Sequence, residues 1–147
     1  LNGEDVSEAI RTPEISYYAS KVSAVPEVRR FLLETQRNMA KNGNILMDGR
    51  DIGTVILPDA PVKIFLTASA ESRAERRYKE LAEKGQQVTM ESVLHDINER
   101  DRQDMNRAIA PLRQAEDAVL LDTSALTLEE SIASVLRIIR EKTEENK

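Results

Sequence analysis

Three short apolar runs constrain this chain more than anything else in it. They are Ile45-Leu46-Met47, Val62-Lys63-Ile64-Phe65-Leu66 and Ala118-Val119-Leu120-Leu121-Asp122. Continuous apolar runs of this length, bounded by turn residues, read as strands rather than helices. From residue 45 onward the order is strand, strand, helices, strand, helix. Strands joined through helices lie parallel and are covered on both faces, which explains why they are apolar without alternation. The expected fold class is therefore α/β, with a parallel sheet flanked by helices.

The helices carry start and stop signals. Thr12-Pro13 places an N-cap before a proline at the first helical position, predicting a helix to about Ser23. Pro26 opens a second helix with Val28, Phe31 and Leu32 at helical spacing, ending near Gly43. Ser69 caps a helix of about 70–84 that Gly85 ends. Thr89 caps one from about Met90 to Arg102. Thr127 with Glu130 forms a capping box for a helix of about 128–142. The charged tail 141–147 is expected to fray. The strand runs and the Leu and Ile positions of 128–139 are expected to form the core.

Composition removes several chemistries. The 147 residues contain no Cys and one His. Thiolate catalysis and disulfides are excluded, and with His95 as the single His a zinc site is not expected. A Ser-His-Asp arrangement would depend on His95, which lies in a polar helical pattern. The net charge of −5 and an aromatic content of 3% disfavour nucleic-acid binding. No apolar run reaches the ~18 residues of a membrane span, and no signal-peptide pattern opens the chain. A cytoplasmic protein is expected. The first residue is Leu rather than Met, so the chain reads as a fragment or a processed form.

Three constellations could carry chemistry. Asp48-Gly49-Arg50-Asp51-Ile52-Gly53-Thr54 follows the first apolar run, at the strand edge where α/β sheets bind ligands. Its Arg offers a fork for phosphate oxygens and its carboxylates can hold a cation or orient that Arg. The plain alternative is an Asp-Gly turn with a surface ion pair. Arg73, Arg76 and Arg77 share one helix face, either as lid residues that reach a transferring phosphoryl group or as a solvated face paired with Glu71, Glu75 and Glu80. Arg100, Asp104 and Arg107 fall at i, i+4 and i+7. They form either a ligand-binding face or part of an ion-pair ladder with Glu99, Asp101 and Arg102.

Taken in order, these segments resemble bacterial cytidylate kinases, of the P-loop nucleoside monophosphate kinase group. The matching stretches begin with Gly3-Glu4-Asp5-Val6-Ser7 through Ile10-Arg11-Thr12 and Ala19-Ser20-Lys21-Val22-Ser23-Ala24. They continue with Asp48 to Val55 and Pro58 to Leu66. The last are Glu99-Arg100-Asp101-Arg102-Gln103-Asp104-Met105-Asn106-Arg107-Ala108 and Pro111-Leu112. Together they cover essentially the whole chain.

The resemblance implies transfer of the γ-phosphoryl group of ATP to CMP or dCMP with Mg²⁺, by a monomer that binds neither nucleic acid nor membrane. It implies that Ser20, Arg29 and Arg107 read the cytosine, and that Asp104 with Arg100 holds the sugar and adjoining phosphate. Arg50 clamps the CMP phosphate in this reading, Asp48 and Asp51 order the Mg²⁺ shell, and Arg73, Arg76 and Arg77 are lid arginines. Residues 1–43 become the helical CMP-binding insert and following helix. Residues 44–147 become the α/β kinase core, with a lid at about 69–90. No metal site made wholly of protein ligands is expected.

One feature of that group is missing. Its kinases carry a loop Gly-x-x-x-x-Gly-Lys-Ser/Thr that cradles the donor phosphates. Here Gly occurs at 3, 43, 49, 53 and 85, and no Gly is followed by Lys. The chain therefore reads as the C-terminal two-thirds of such a kinase, without the N-terminal strand and phosphate loop. In that group's topology the strand lies between those that the runs at 45–47 and 62–66 resemble, so the resemblance implies an interrupted sheet and little activity from this chain alone. The alternatives are a UMP- or AMP-type kinase of the same group and a non-catalytic nucleotide-binding fragment.

Overall fold

The structure is a computed structural model that describes residues 1–41 and 43–145, the side chains at 13 and 145 aside. Its order is α1 (Pro13–Ser23), α2 (Pro26–Lys41), β1 (Ile64–Thr67), α3 (Ala70–Glu83), α4 (Met90–Asn106), β2 (Val119–Asp122) and α5 (Leu128–Glu145). A single π-helical turn, Ile52–Ile56, lies ahead of β1. The chain divides into two compact units, Leu1–Leu46 and Met47–Lys147. No helix among the described residues is long and apolar enough to cross a membrane.

The first unit is a helix pair. The Thr12 hydroxyl accepts the Ile15 amide at 3.2 Å, capping α1 as its sequence predicts. α2 buries no residue completely, and Phe31 on it is exposed.

The second unit is α/β. β1 and β2 pair in parallel, with Ile64 opposite Val119 and Thr67 opposite Asp122. The carboxyl ends are pinned further: the Thr123 amide and hydroxyl both donate to the Thr67 carbonyl, at 2.8 and 3.0 Å. The caps fall where the sequence puts them. Ser69 accepts the Ser72 amide, Thr89 and Ser92 form a reciprocal box, and Thr127 and Glu130 form another. Gly85 takes φ +72°, a left-handed conformation that ends α3 without the penalty a side chain would bring.

The core differs from expectation. Ala74, Leu81 and Val93 are its buried cluster, with Val88, Met90, Leu94 and Ile97 packed around it. That cluster lies between α3 and α4, while Ile56, Ala68 and Ile138 are buried outside it. The strands are not covered on both faces: Leu66 is 61% exposed and Leu120 56%, at adjacent registers and so on opposite faces. Two strands alone cannot bury both faces of a sheet. On α5 the same holds, because Ile138 is buried while Leu128, Ile132 and Leu136 are exposed.

Three other expectations are corrected. The run 45–47 forms no strand, and Leu46 is 90% exposed. A strand exists only through a ladder partner, and none lies beside this run among the described residues. α4 continues a turn beyond Arg102 because no Gly or Pro interrupts it, and the Asn106 side-chain amide donates to the Arg102 carbonyl at 2.7 Å. The tail stays helical through Glu145, where Thr143 bonds the Ile139 carbonyl and Arg137 pairs with Glu141. Residues 146 and 147 lie outside the described residues.

Candidate active site

The site is built from two segments of the second unit, the loop at 48–54 and the end of α4. The loop closes on itself through the π-helical turn. The Asp51 carbonyl accepts the amides of Val55 and Ile56 at 2.9 and 3.2 Å, and the Ile52 carbonyl accepts that of Leu57 at 2.7 Å. Such wide turns recur at functional sites because they redirect backbone without ending it. Here the turn turns the Asp51 side chain inward, where it is 6% exposed. At the other segment, α4 presents Asp104 on its last turn, also 6% exposed. Arg107 then leaves the helix with extended backbone. Its Nε donates to the carbonyl of Ala110, a residue held at φ +50°. The Leu112 amide folds back onto the Asp104 carbonyl at 2.8 Å.

The four side chains form one network. Arg50 Nε donates to Asp104 Oδ2 at 3.0 Å. Arg107 Nη2 donates to Asp51 Oδ1 at 3.4 Å, and its Nη1 stands 3.8 Å from Asp104 Oδ1. Two nearly buried carboxylates are therefore balanced by two guanidiniums, and burial without such pairing would be costly. The guanidiniums differ in what they have left. Arg107 is largely enclosed and committed at three nitrogens. Arg50 is 40% exposed in its side chain and spends only Nε, so both Nη groups lack a partner among the described residues. A guanidinium anchored at one edge and open at the other is a fork for an oxyanion.

The remaining predicted residues sit as follows. Arg100 is exposed and joins no ion pair among the described residues, so nothing ties it to Asp104. The ladder reading is realised beside it: Glu99 takes Arg102 at 2.7 Å and Gln103 at 2.9 Å, which hold its carboxyl at about 2, below the usual range. Arg73 forms a two-pronged pair with Asp101 of α4, at 3.0 and 2.6 Å, and donates Nε to the Ala68 carbonyl. Arg76 donates to the carbonyls of Thr123 and Leu126. Arg77 pairs with Glu80 on its own helix at 2.7 Å. In the first unit, Arg29 Nη1 donates to the Ser23 carbonyl at 3.1 Å, and the Ser20 carbonyl accepts the Ser23 hydroxyl at 2.8 Å.

Asp101 as the partner of Arg73 escapes a reading by spacing, because the two lie 28 residues apart on different helices. Its position three residues before Asp104 was the available signal. The Ala110 carbonyl carries no side-chain signal at all. No group of three His, Asp or Glu that could hold a metal exists among the described residues. For a cation that arrives with phosphate oxygens, one or two carboxylates suffice. Asp48 fits that requirement, being exposed and free of ion pairs among the described residues, whereas Asp51 is committed to Arg107.

Comparison with known proteins shows the family. The family model described as cytidylate kinase matches residues 1–141. A cytidylate kinase of Carboxydothermus hydrogenoformans is 54% identical over 144 residues, covering 98% of this chain and 65% of the relative. One of Thermosipho melanesiensis is 56% identical over 142 residues, covering 97% and 65%. One of Caldicellulosiruptor saccharolyticus is 54% identical over 138 residues, covering 94% and 61%. The chain thus spans about 65% of the length of the first two of these curated relatives and 61% of the third. With a match across nearly its whole length and identity above half, the chain belongs to the cytidylate kinase family.

Proposed function

We propose that this chain carries the acceptor side of a kinase that transfers the γ-phosphoryl group of ATP to CMP or dCMP. The observation that supports the reading most is Arg50, anchored by Asp104 and open at both Nη groups. Phosphoryl transfer asks little covalent chemistry of a protein. It asks that two phosphates be held in line and their charge offset. Arg50 holds the CMP phosphate through its open fork. Arg107, fixed between Asp51 and Asp104, offers rigid donors to the cytosine; in the first unit, Ser20 and Arg29 are the further residues that the resemblance assigns to the base. Arg100 and Asp104 take the sugar and the adjoining phosphate edge. A site matched to the cytosine amine rejects uracil by leaving buried polar groups unpaired.

The lid reading covers residues 69–90. Arg77, held among the described residues by Glu80 alone, on its own helix, is the lid arginine freest to reach a phosphoryl group. Arg73 and Arg76 first have to leave partners outside α3. Mg²⁺ neutralises phosphate charge when it binds with the nucleotide, and Asp48 would hold it, with Asp51 acting at one remove. The remaining expectations are a monomer in the cytoplasm that binds no nucleic acid.

A second reading, a nucleotide-binding chain without turnover, is favoured by one observation. The 147 residues contain no Gly-x-x-x-x-Gly-Lys-Ser/Thr, so they supply no cradle for the donor phosphates. Calorimetric titration with CMP, dCMP, UMP, AMP and ATP, together with a coupled ADP-release assay, separates the readings. CMP or dCMP should bind at least about tenfold more tightly than UMP or AMP. ATP should bind weakly and turnover should be very slow. Tighter UMP or AMP binding transfers the chain to another base specificity. Absence of CMP and dCMP binding overturns the proposal. Turnover matching an intact kinase overturns the acceptor-only reading.

A further inference from the structure

Lys63 precedes β1 and has no part in the network around Asp104. Its side chain is only 8% exposed, which is unusual for a lysine and demands partners. The ammonium donates to the Pro58 carbonyl and pairs with Asp117 Oδ2 at 2.5 Å. That contact also holds the Asp117 carboxyl below its usual range. The aliphatic stem runs over Gly53: a Cβ added there would stand 3.2 Å from Lys63 Cδ and 3.5 Å from Cγ. The backbone at Lys63 is itself fixed, because its carbonyl accepts the Val119 amide at 2.9 Å.

One side chain therefore grips the π-helical turn at two points. The stem covers Gly53, inside the turn, and the ammonium binds Pro58, just past it. Arg50 and Asp51 lie immediately before the turn, and the turn's amides close on the Asp51 carbonyl. We propose that Lys63 is a positioning residue that anchors the turn at 52–56 to the sheet and thereby sets Arg50 for an anionic phosphate. The proposal rests on the reading of Arg50 as the CMP phosphate clamp. A side chain at Gly53 would press on the lysine stem, which would have to give by a few tenths of an ångström.

The test compares wild type with Lys63→Met, which keeps the stem and removes the ammonium, and Lys63→Arg, which restores a cation. Amide hydrogen exchange at Val55, Ile56 and Leu57 reads the turn directly, with Ala74 and Leu81 amides reporting global stability. Titration with CMP and with cytidine, which lacks the phosphate, reads the consequence. In Lys63→Met, exchange in the turn should accelerate by about tenfold or more while the α3 amides stay protected. CMP affinity should fall roughly tenfold, and cytidine affinity should fall less, because Asp104 still holds Arg107 when the turn loosens. Lys63→Arg should recover most of both effects. If Lys63→Met does not fold, Asp117→Asn removes one partner at the surface and should shift the same readouts in the same direction. Unchanged exchange in the turn, or equal losses for CMP and cytidine, overturns the inference. Wild type that binds neither ligand defeats the nucleotide reading instead, and the exchange data still decide whether Lys63 anchors the turn.

Discussion

Asp104 accepts Arg50 Nε at 3.0 Å across 54 residues of sequence. The contact joins a loop that precedes the sheet to the last turn of α4. Its carboxylate is nearly buried while the guanidinium reaches solvent, so the pair fixes Arg50 at one end only. In Asp104→Asn the anchor loses its charge and two guanidiniums lose a counterion. The expected cost is about 1–3 kcal/mol in urea unfolding. CMP affinity should fall more than cytidine affinity, and calorimetric titration checks it. An Asp104→Asn chain with wild-type CMP affinity would remove Asp104 from the site.

The Arg73–Asp101 pair should not tolerate lysine. Lys presents a point charge and cannot reproduce two parallel bonds to one carboxylate plus a bond to the Ala68 carbonyl. Arg73→Lys should lose about 1 kcal/mol, nearly as much as Arg73→Ala, because both groups are partly solvated and the pair itself is worth little more. Urea midpoints of the two variants measure this, and full retention of stability by the lysine variant would contradict it.

The α3–α4 interface holds the buried cluster of Ala74, Leu81 and Val93, so it should carry much of the stability. Leu81→Ala should cost about 3 kcal/mol in urea unfolding. Leu120→Ala, on a strand but half exposed, should cost well under half as much. The reverse ranking would mean that the sheet, not the helix pair, holds the unit together.

Acid should loosen the helices through two surface carboxyls. Glu80 is held at about 2 by Lys84 and Arg77, and Glu99 at about 2 by Arg102 and Gln103. A folded-state pKa below the unfolded one means the unfolded chain takes up protons first. Their contribution is therefore complete above the ordinary 4.5 and is lost as pH falls toward about 2. Both groups are exposed, so the loss should be small and should fade as salt is raised. Urea midpoints of wild type and the Glu80→Gln, Glu99→Gln double variant should converge as pH falls through that window. A gap that persists at the acid end would refute the assignment.

The capping box at Thr127 should be worth about 1 kcal/mol to α5. Its hydroxyl accepts the Glu130 amide and its own amide donates to the Glu130 carboxylate. Thr127→Ala should lower helical circular dichroism and the urea midpoint by that amount, and Thr127→Ser should not.

Helix starts were the most legible part of the chain, because N-caps act within four residues of sequence. Thr12, Ser69, Thr89 and Thr127 each cap the helix their position predicts. The runs at 62–66 and 118–122 were legible as strands for the same local reason. The run at 45–47 was not, although it is as apolar, because strand formation depends on what pairs with it. Arg50, Asp51, Asp104 and Arg107 could be named from the sequence as residues able to carry chemistry. Their pairing could not, since Asp48–Thr54 and the end of α4 meet only through the fold.

What the amino-acid order determined by itself is thus the set of helices, the α/β class, the lack of any thiol, and the resemblance that the comparisons bear out. Those follow from short-range backbone chemistry and from which side chains are present. Only the tertiary structure decided that the buried cluster of Ala74, Leu81 and Val93 forms between α3 and α4, that Asp104 anchors Arg50, and that Arg73 and Arg76 are engaged outside their own helix. Contacts across 28 to 56 residues arise from chain packing, and no local pattern encodes which of several equivalent charges will meet.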